Sequence, residues 1–195
     1  MSLFLVLEGT DCAGKTTAGK QLARELDFEY IRTPGEEYAS LRTTVDKLDS
    51  PDAKLLFYLS SVAHASRKVT TALQAGRNII CDRYVWSSLI SHAAYYDKDL
   101  EQLEQTWTHL MQNLSKPTET ILFTVSEEEQ LHRLGEKRGE PYSASDQFCL
   151  QEKPRKKVRE LYEQVARRKE WVIIDTTHTT IDRVVEELAA LFLVH

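Results

Sequence analysis

The strongest constraint on the fold is a set of short apolar runs that alternate along the chain with longer segments of helical character. Residues 3–7 form the clearest run, because five consecutive apolar residues with β-branched and aromatic content predict a strand buried on both faces. Similar runs occur at residues 78–81, 120–125 and 171–174, with a weaker one at 28–32. Strands of this kind are typical of parallel sheets, so the alternation predicts an α/β fold with right-handed crossovers.

The intervening segments carry helix signals at their ends. Ser50 precedes Pro51 at one predicted start, and Gly76 lies where a left-handed cap would end the same helix. Residues 135–151 contain two glycines, a proline and small polar residues, which predicts a mobile loop, with a plain surface connection as the alternative. Helices are predicted at residues 15–26, 51–75, 85–96, 100–114, 127–137, 152–169 and 179–194.

Composition limits the class of protein. At about 150 residues per domain, 195 residues without a linker predict one domain, residues 1–195. Leu, Ile, Val and Phe make up 50 residues, enough for a folded core. The net charge of -5 argues against broad nucleic-acid binding, and no apolar run is long enough to span a membrane. With no basic residue before Lys15 and three cysteines without metal-site spacing, we expect a cytoplasmic protein with reduced thiols.

The segment after the first apolar run carries a phosphate-binding signature. It matches GxxxxGK[ST] between a predicted strand and a predicted helix, which is the context that a P-loop requires. In such a loop, backbone N–H groups and a helix N-terminus surround phosphate oxygens, the lysine reaches the β and γ phosphates, and the hydroxyl binds Mg²⁺. The alternative is a strand–turn–helix corner that only happens to contain these residues. The predicted cofactor-binding residues here are Gly9, Thr10, Asp11, Cys12, Ala13, Gly14, Lys15, Thr16 and Thr17.

Other segments narrow the class of P-loop protein. An NKxD guanine-reading motif is missing, and the only DxxG, at residues 11–14, lies inside the loop, which argues against a GTPase switch. The strand at residues 78–81 runs into Asp82-Arg83-Tyr84 rather than into the acidic pair typical of larger ATPases. A small phosphotransferase therefore fits best.

Together these residues resemble the thymidylate kinase family. The resemblance rests on residues 4–17, with a glutamate before the first loop glycine, and on Asp82-Arg83-Tyr84. Further similar segments extend over nearly the whole chain: Thr33-Pro34-Gly35, Leu41-Arg42, Leu56-Phe57-Tyr58, residues 85–88 and residues 137–140. The resemblance implies a three-layer P-loop kinase fold with a five-stranded parallel sheet in the order 2-3-1-4-5 and helices on both faces. It also implies a lid at about residues 135–151, transfer of the γ-phosphate of ATP to dTMP with Mg²⁺, and a homodimer.

The same resemblance implies roles for individual residues. Lys15 and Arg83 are the expected catalytic cations, Arg83 binding the acceptor phosphate with Arg42 as a second cation, because a guanidinium suits phosphate bidentately. Asp82 would hold Mg²⁺ or water with Thr16, and Asp11 would contact the sugar and take part in catalysis. A strand-end ion pair for Asp82 and Arg83, and a solvated Arg42, are the structural alternatives. The predicted substrate-binding residues are Asp11, Pro34, Arg42, Phe57, Ser61, Asp82, Arg83, Ser87 and His92.

The lid has to supply a further cation. Cys12 occupies the P-loop position at which one branch of the family has an arginine, so the resemblance makes Arg133, Lys137 and Arg138 the candidates to approach the transferring phosphoryl group. Arg138 is the preferred candidate. Arg155 and Arg159 are weaker options, for which a solvated basic helix face is the alternative. Arg133 is assigned to the ATP side.

The expected base-reading residues differ most from the family. Phe57 matches the family phenylalanine, but Ser61 replaces its arginine, and Ser91 and His92 replace a tyrosine and a glutamine. These changes leave the reaction in place and put the acceptor in question. The alternative is drift within the family, compensated by neighbours such as His64 or Arg67. The leading hypothesis is therefore a dTMP kinase. A kinase for another nucleotide or nucleoside, and a noncatalytic nucleotide-binding regulator, are the alternatives.

Overall fold

One parallel sheet organises the fold in the computed structural model, which describes residues 2–136 and 143–193. The strands are β1 (Phe4–Gly9), β2 (Glu29–Arg32), β3 (Ile79–Asp82), β4 (Glu119–Thr124) and β5 (Val172–Asp175). They pair in the order β2-β3-β1-β4-β5, all parallel, which confirms the predicted sheet. Leu7 of β1 lies beside Asp82 of β3, so the ends of these two strands meet at the same edge.

The helices cover both faces of this sheet. In chain order they are α1 (Lys15–Glu25), α2 (Ala39–Val45), α3 (Pro51–Gln74), α4 (Val85–Tyr95), α5 (Leu100–Thr106), α6 (Thr108–Asn113), α7 (Glu127–Gly135), α8 (Ala144–Leu150), α9 (Glu152–Arg168) and α10 (Ile181–Leu193), with a 3₁₀ turn at Glu36–Tyr38 before α2. Within the described ranges, no helix is both long and apolar enough to cross a membrane.

The core has two sides because successive strand residues point to opposite faces of the sheet. Leu5 and Leu7 of β1 pack on one side with residues of α1 and α10. Phe4 and Val6 pack on the other side with residues of α3 and α4. All four side chains are fully buried or nearly so, which explains why β1 reads as a continuous apolar run.

The predicted boundaries of α3 are confirmed. The Ser50 side chain accepts a hydrogen bond from the Ala53 N–H at 3.4 Å, and Pro51 is the first helical residue. Gly76 has φ +76° just after the helix, a conformation that glycine adopts without the steric cost of a side chain.

The structure differs from the predictions in three segments. Residues 100–114 form two helices, broken at Trp107, where the hydroxyls of Thr106 and Thr108 bond to the carbonyls of Gln102 and Glu104 and so favour a bend. Helix α2 was not predicted.

The prediction of a loop throughout residues 135–151 is wrong for residues 144–150, which form α8. Its start is fixed by a capping box between Ser143 and Asp146. Residues 137–142, which include the whole segment that resembles the start of the lid, lie outside the described residues.

Candidate active site

The loop from β1 to α1 has the backbone geometry of a phosphate-binding loop. Gly9 has φ +135°, and a Cβ there would lie 2.2 Å from the Phe123 carbonyl oxygen, so only glycine fits. Gly14 has φ +86° directly before α1, and Cys12 has φ +62°. Ala13 is buried beneath the loop, and Thr17 is exposed in the first turn of α1. The loop therefore bends tightly around the N-terminus of α1, where backbone N–H groups attract anions.

Lys15 is a buried cation inside this loop. Its Nζ donates to the Thr10 carbonyl oxygen at 2.5 Å, and its exposed fraction is 4%. Burial, and secondarily the nearby Arg83, lower the pKa of Lys15 to about 8. An anionic ligand at this position would favour the protonated form.

Asp82 lies beside Thr16 at the end of β3. The Thr16 hydroxyl donates to Asp82 Oδ2 at 2.5 Å, and the Tyr30 hydroxyl donates to the same oxygen at 2.9 Å. Within the described ranges, the buried Asp82 Oδ1 has no hydrogen-bond partner. A buried carboxylate oxygen next to a P-loop hydroxyl fits Mg²⁺, which prefers oxygen ligands.

Arg83 faces the loop from the neighbouring strand. It has φ +69°, and its backbone N–H donates to the Leu7 carbonyl oxygen at 2.9 Å. Its Nη2 donates to Asp11 Oδ1 at 2.6 Å, and its Nη1 lies 3.4 Å from the Gly9 carbonyl oxygen. Burial acts to lower the pKa of Arg83, but Asp11 and other acidic groups outweigh it, so the guanidinium stays charged.

Glu8 is a structural acid that the sequence did not single out as part of the site. It is fully buried and accepts hydrogen bonds from the Tyr84 N–H at 3.1 Å, the Ser87 N–H at 3.2 Å and the Tyr162 hydroxyl at 3.1 Å, and from the Ser87 hydroxyl. Burial raises the pKa of Glu8 above its usual range. Glu8 thus holds the start of α4 against β1 and α9, which fixes the position of Arg83.

A pocket opens beside Arg83, between β2, α2, α3, α4 and α8. We call it the side pocket, and its lining includes Asp11, Arg32, Pro34, Arg42, Asp46, Lys54, Leu55, Tyr58, Arg83, Ser87, Ser91, His92, Tyr95, Tyr96 and Phe148. Asp46 holds two of these side chains, since it accepts from the Tyr58 hydroxyl at 2.7 Å and lies 3.5 Å from Arg42 Nε. His92 is buried, and burial lowers its pKa, which favours the neutral imidazole. The sequence did not point to Arg32, Tyr58, Tyr95 or Phe148.

Not every predicted substrate-binding residue reaches the side pocket. The lining from α3 consists of Lys54, Leu55 and Tyr58, whereas the Phe57 ring packs edge-on against Tyr38, with ring centroids 5.5 Å apart. Ser61 is buried and donates to the Tyr58 carbonyl oxygen at 2.7 Å. Adjacent positions on a helix point about 100° apart, so Tyr58 takes the place expected for Phe57.

The predicted lid arginines have different surroundings. Arg133 donates to the carbonyl oxygens of Thr176, at 2.6 Å, and of Cys12, at 3.3 Å, so it contacts the P-loop. Arg155 is buried and pairs with Glu127 at 2.5 Å, and Arg159 donates to Gln130 Oε1 at 3.0 Å. The guanidinium groups of Arg155 and Arg159 thus contact other side chains of the protein. Arg138 lies outside the described residues.

Comparisons with known proteins agree with this geometry. A family model described as thymidylate kinase matches residues 7–188. The thymidylate kinase of Staphylococcus epidermidis is 38% identical over 98 residues, which cover 46% of this chain and 48% of that protein, so the match spans about half of that relative's length. The probable thymidylate kinase of Methanocaldococcus jannaschii is 26% identical over 192 residues, covering 96% of this chain and 94% of that one.

A solved structure shows the same fold. The thymidylate kinase from Candida albicans superposes with a TM-score of 0.79 at 21% identity, covering 99% of this chain and 92% of that one. Since the family model spans nearly the whole chain, the chain belongs to the thymidylate kinase family.

Proposed function

We propose that this chain transfers the γ-phosphoryl group of ATP to a nucleoside monophosphate, with dTMP as the preferred acceptor. Thymidylate kinase relatives and the family model support this reaction. The observation that carries it is the Asp11–Arg83 pair, which lies between the P-loop and the side pocket. A protein that only binds a nucleotide on its P-loop has no need of a second polar pocket with a partly buried cation at this position.

The donor side consists of the P-loop and the residues beneath it. Backbone N–H groups of residues 9–17 would bind the ATP phosphates, and Lys15 would neutralise charge that develops on the transferring group. Arg133 supports the loop through the Cys12 carbonyl. Arg138 remains our proposal for a further cation at the transferring phosphoryl group.

Thr16 and Asp82 are the residues that would hold Mg²⁺. Their side chains are 2.5 Å apart, and Asp82 contributes the carboxylate oxygen without a hydrogen-bond partner in the described part of the chain. When bound, the metal neutralises phosphate charge and fixes the geometry of the polyphosphate.

The acceptor would occupy the side pocket. Arg83 and Arg42 would bind its phosphate, Asp11 its sugar hydroxyl, and Pro34, Ser87 and His92 would line the remainder. We assign the contact with the base to Tyr58, since its ring belongs to the lining and the ring of Phe57 does not. With Ser61 buried as well, base selectivity is expected to be weaker than that of an enzyme with an arginine at that position.

We further propose a single kinase domain with a lid at about residues 135–151, acting as a cytoplasmic homodimer. Helix α8 lies within the lid segment and contributes Phe148 to the side pocket, which supports the lid. Cys12, Cys81 and Cys149 are thiols, which fits a reducing compartment. Leu41 and Leu56 are more than half exposed on α2 and α3, which supports an interface there.

A panel of acceptors tests the function. We expect dTMP to give the highest kcat/KM among dTMP, dUMP, dCMP and dGMP, with a modest advantage over dUMP, in a coupled assay for ADP. Tyr58→Ala should raise KM for dTMP, and Phe57→Ala, at the adjacent position, should raise it far less. If the chain transfers phosphate only to another nucleotide or to a nucleoside, its acceptor is not dTMP. The altered residues at the base end of the side pocket would explain that result. ATP binding without transfer to any acceptor would contradict the catalytic function.

A further inference from the structure

Two aromatic rings connect the lid segment to the side pocket. The ring of Phe148 on α8 stacks on Tyr95 at the end of α4, with centroids 3.9 Å apart and planes within 5° of parallel. Tyr96 meets the same phenylalanine edge-on, with centroids 6.1 Å apart. Parallel and edge-on contacts of this kind contribute beyond simple burial of area. The Tyr95–Phe148 stack is therefore a specific contact between α4 and α8.

The stack stands between two cavities. Tyr95 and Phe148, together with Asp11, line the side pocket on one side and a small cavity behind the P-loop on the other. The second cavity is also lined by Thr10, Gln130, Cys149, Arg155 and Val158. The stack is thus a wall that ends the side pocket next to Asp11, and loss of either ring would join the two cavities.

Tyr95 faces the polar end of the side pocket. Asp11, Arg83 and Ser91, which lies one turn earlier on α4, are near enough to act on the ionisation of its hydroxyl group. Burial and Asp11 both raise the pKa of Tyr95, so the phenol is neutral at physiological pH. The ring therefore adjoins the residues that we assign to the sugar and phosphate of the acceptor.

Contacts from the protein interior hold Phe148 in place. The carbonyl of the next residue, Cys149, accepts from Arg155 Nη1 at 2.8 Å. The Cys149 thiol accepts from Gln130 Nε2 at 3.3 Å, and the same amide donates to the Asp11 carbonyl oxygen at 3.1 Å. One side chain thus joins the P-loop to α8, and the position of Phe148 is linked to that of Asp11.

We propose that Phe148, stacked on Tyr95, is a positioning residue for the acceptor nucleotide. This proposal rests on the proposed function. The stack closes the end of the side pocket, so an acceptor there cannot shift toward the cavity behind the P-loop. Its phosphate is thereby held against Arg83, and water is kept from the reacting groups. The position of the stack predicts that Phe148 affects the acceptor far more than ATP.

The test compares Phe148→Ala with Phe148→Tyr and with Leu150→Ala. Leu150 lies on the same short helix and is 50% exposed, so its truncation controls for general effects on α8. Two readouts are used: the dTMP affinity from titration calorimetry, and steady-state KM for dTMP and ATP, with ATP hydrolysis measured in the absence of acceptor.

For Phe148→Ala we expect dTMP affinity to fall about tenfold, since the variant loses both an aromatic pair and the pocket wall. KM for ATP should change less than about twofold, and acceptor-independent hydrolysis should rise relative to transfer. Phe148→Tyr should keep the dTMP affinity close to that of the unsubstituted protein, because it retains an aromatic ring at this position. Tyr95→Leu should reproduce the loss, and Tyr95→Leu combined with Phe148→Ala should cost less than the sum of the two, because the rings act as a pair.

Unchanged dTMP affinity in Phe148→Ala would overturn the proposal, as would an equal loss in Leu150→Ala or parallel losses for ATP and dTMP. Because dTMP affinity is measured separately from turnover, failure of the proposed function can be distinguished from failure of the role proposed for Phe148. A chain that binds dTMP without phosphorylating it would refute the function, while the affinity ratio would still decide the role of Phe148. A chain that binds no dTMP would refute both.

Discussion

Lys15 is a single side chain on which the proposed phosphoryl transfer depends. Its burial in the loop makes it a preorganised cation rather than a mobile surface charge. We expect Lys15→Ala to lower kcat by about 100-fold or more, about 3 kcal/mol in barrier height, while the protein stays folded. Lys20→Ala, an exposed lysine on the same helix, should retain activity. Near-normal turnover in folded Lys15→Ala would contradict the assignment.

The lowered pKa of Lys15 has its own consequence for pH dependence. Near pH 8 part of the unliganded protein carries a neutral Lys15, and bound phosphates would raise the pKa again, so ATP binding should be accompanied by proton uptake. The uptake should shrink toward pH 6, where Lys15 is already protonated. Calorimetry of ATP binding in two buffers of different ionisation enthalpy measures it. Uptake that persists in Lys15→Met would assign it to another group.

The same shift affects stability in a defined direction. Between pH 8 and the ordinary lysine pKa of 10.5, the unfolded chain holds a proton on this lysine that the folded chain lacks. Unfolding therefore takes up a proton. The contribution of Lys15 thus increases the free energy of unfolding, and so stabilises the folded protein, as pH rises through that window.

Loss of Arg83 should affect the two substrates differently. Its position between Asp11 and the side pocket predicts that Arg83→Ala raises KM for dTMP roughly tenfold or more and lowers kcat, with a much smaller change in ATP affinity. Initial-rate kinetics with each substrate varied in turn, together with ATP titration, measure both effects. Arg77→Ala, an exposed arginine paired with Glu29, serves as the control. A loss confined to ATP affinity would place Arg83 on the donor side.

The sequence predicted the phosphate-binding residues better than the base-binding ones, for a physical reason. A P-loop is local, since eight consecutive residues specify its glycines, lysine and hydroxyl. The lining at the base end of the side pocket depends on which face of α3 points into the pocket. Tyr58 lines the pocket and Phe57, the preceding residue, does not. Sequence spacing does not show that rotation, and it also does not show that α8 delivers Phe148 to Tyr95.

Among secondary-structure elements, the two helices that the sequence missed are short and have few or no buried residues. All six residues of β1 are buried, so its apolar run is unambiguous. Helix α2 has no buried residue and therefore lacks an apolar face that a sequence pattern could reveal. Helix α8 has only two buried residues, although Ser143 and Asp146 did offer a capping signal at its start.

Arg133 joins three elements, because it extends from α7 to the P-loop and to the segment after β5. Besides the two carbonyls, it donates to the Thr176 hydroxyl at 3.1 Å and pairs with Glu129 at 2.7 Å. Arg133→Ala should reduce the free energy of unfolding by about 1–3 kcal/mol and raise KM for ATP, because buried acceptors lose their donor. Urea denaturation and ATP kinetics measure the two effects.

Arg167→Ala is the matched control for this prediction, since Arg167 forms an exposed helix pair with Glu163. Its loss should change stability by less than about 0.5 kcal/mol. A rise in KM for ATP in Arg133→Ala without any loss of stability would instead indicate direct contact with the nucleotide.

At the scale of the whole molecule, charge is distributed unevenly. The chain has a net charge of -5, yet the side pocket is lined by Arg32, Arg42, Lys54 and Arg83 against Asp11 and Asp46. An acidic surface with a locally cationic pocket favours a small anion over an extended polyanion such as nucleic acid. The charge pattern therefore agrees with a nucleotide as the ligand.

The proposed homodimer gives the last prediction. Leu41, Leu48 and Leu56 are 57%, 42% and 53% exposed and come from α2, the turn after it and α3, beside the side pocket. If this surface is the interface, the chain should sediment at twice its own mass at micromolar concentration. Leu56→Asp should shift it toward the monomer, because a carboxylate would be desolvated there. Leu191→Asp, at an exposed leucine on α10, should remain dimeric. A wild-type monomer at every concentration would refute the dimer, and equal effects of both substitutions would refute the proposed interface.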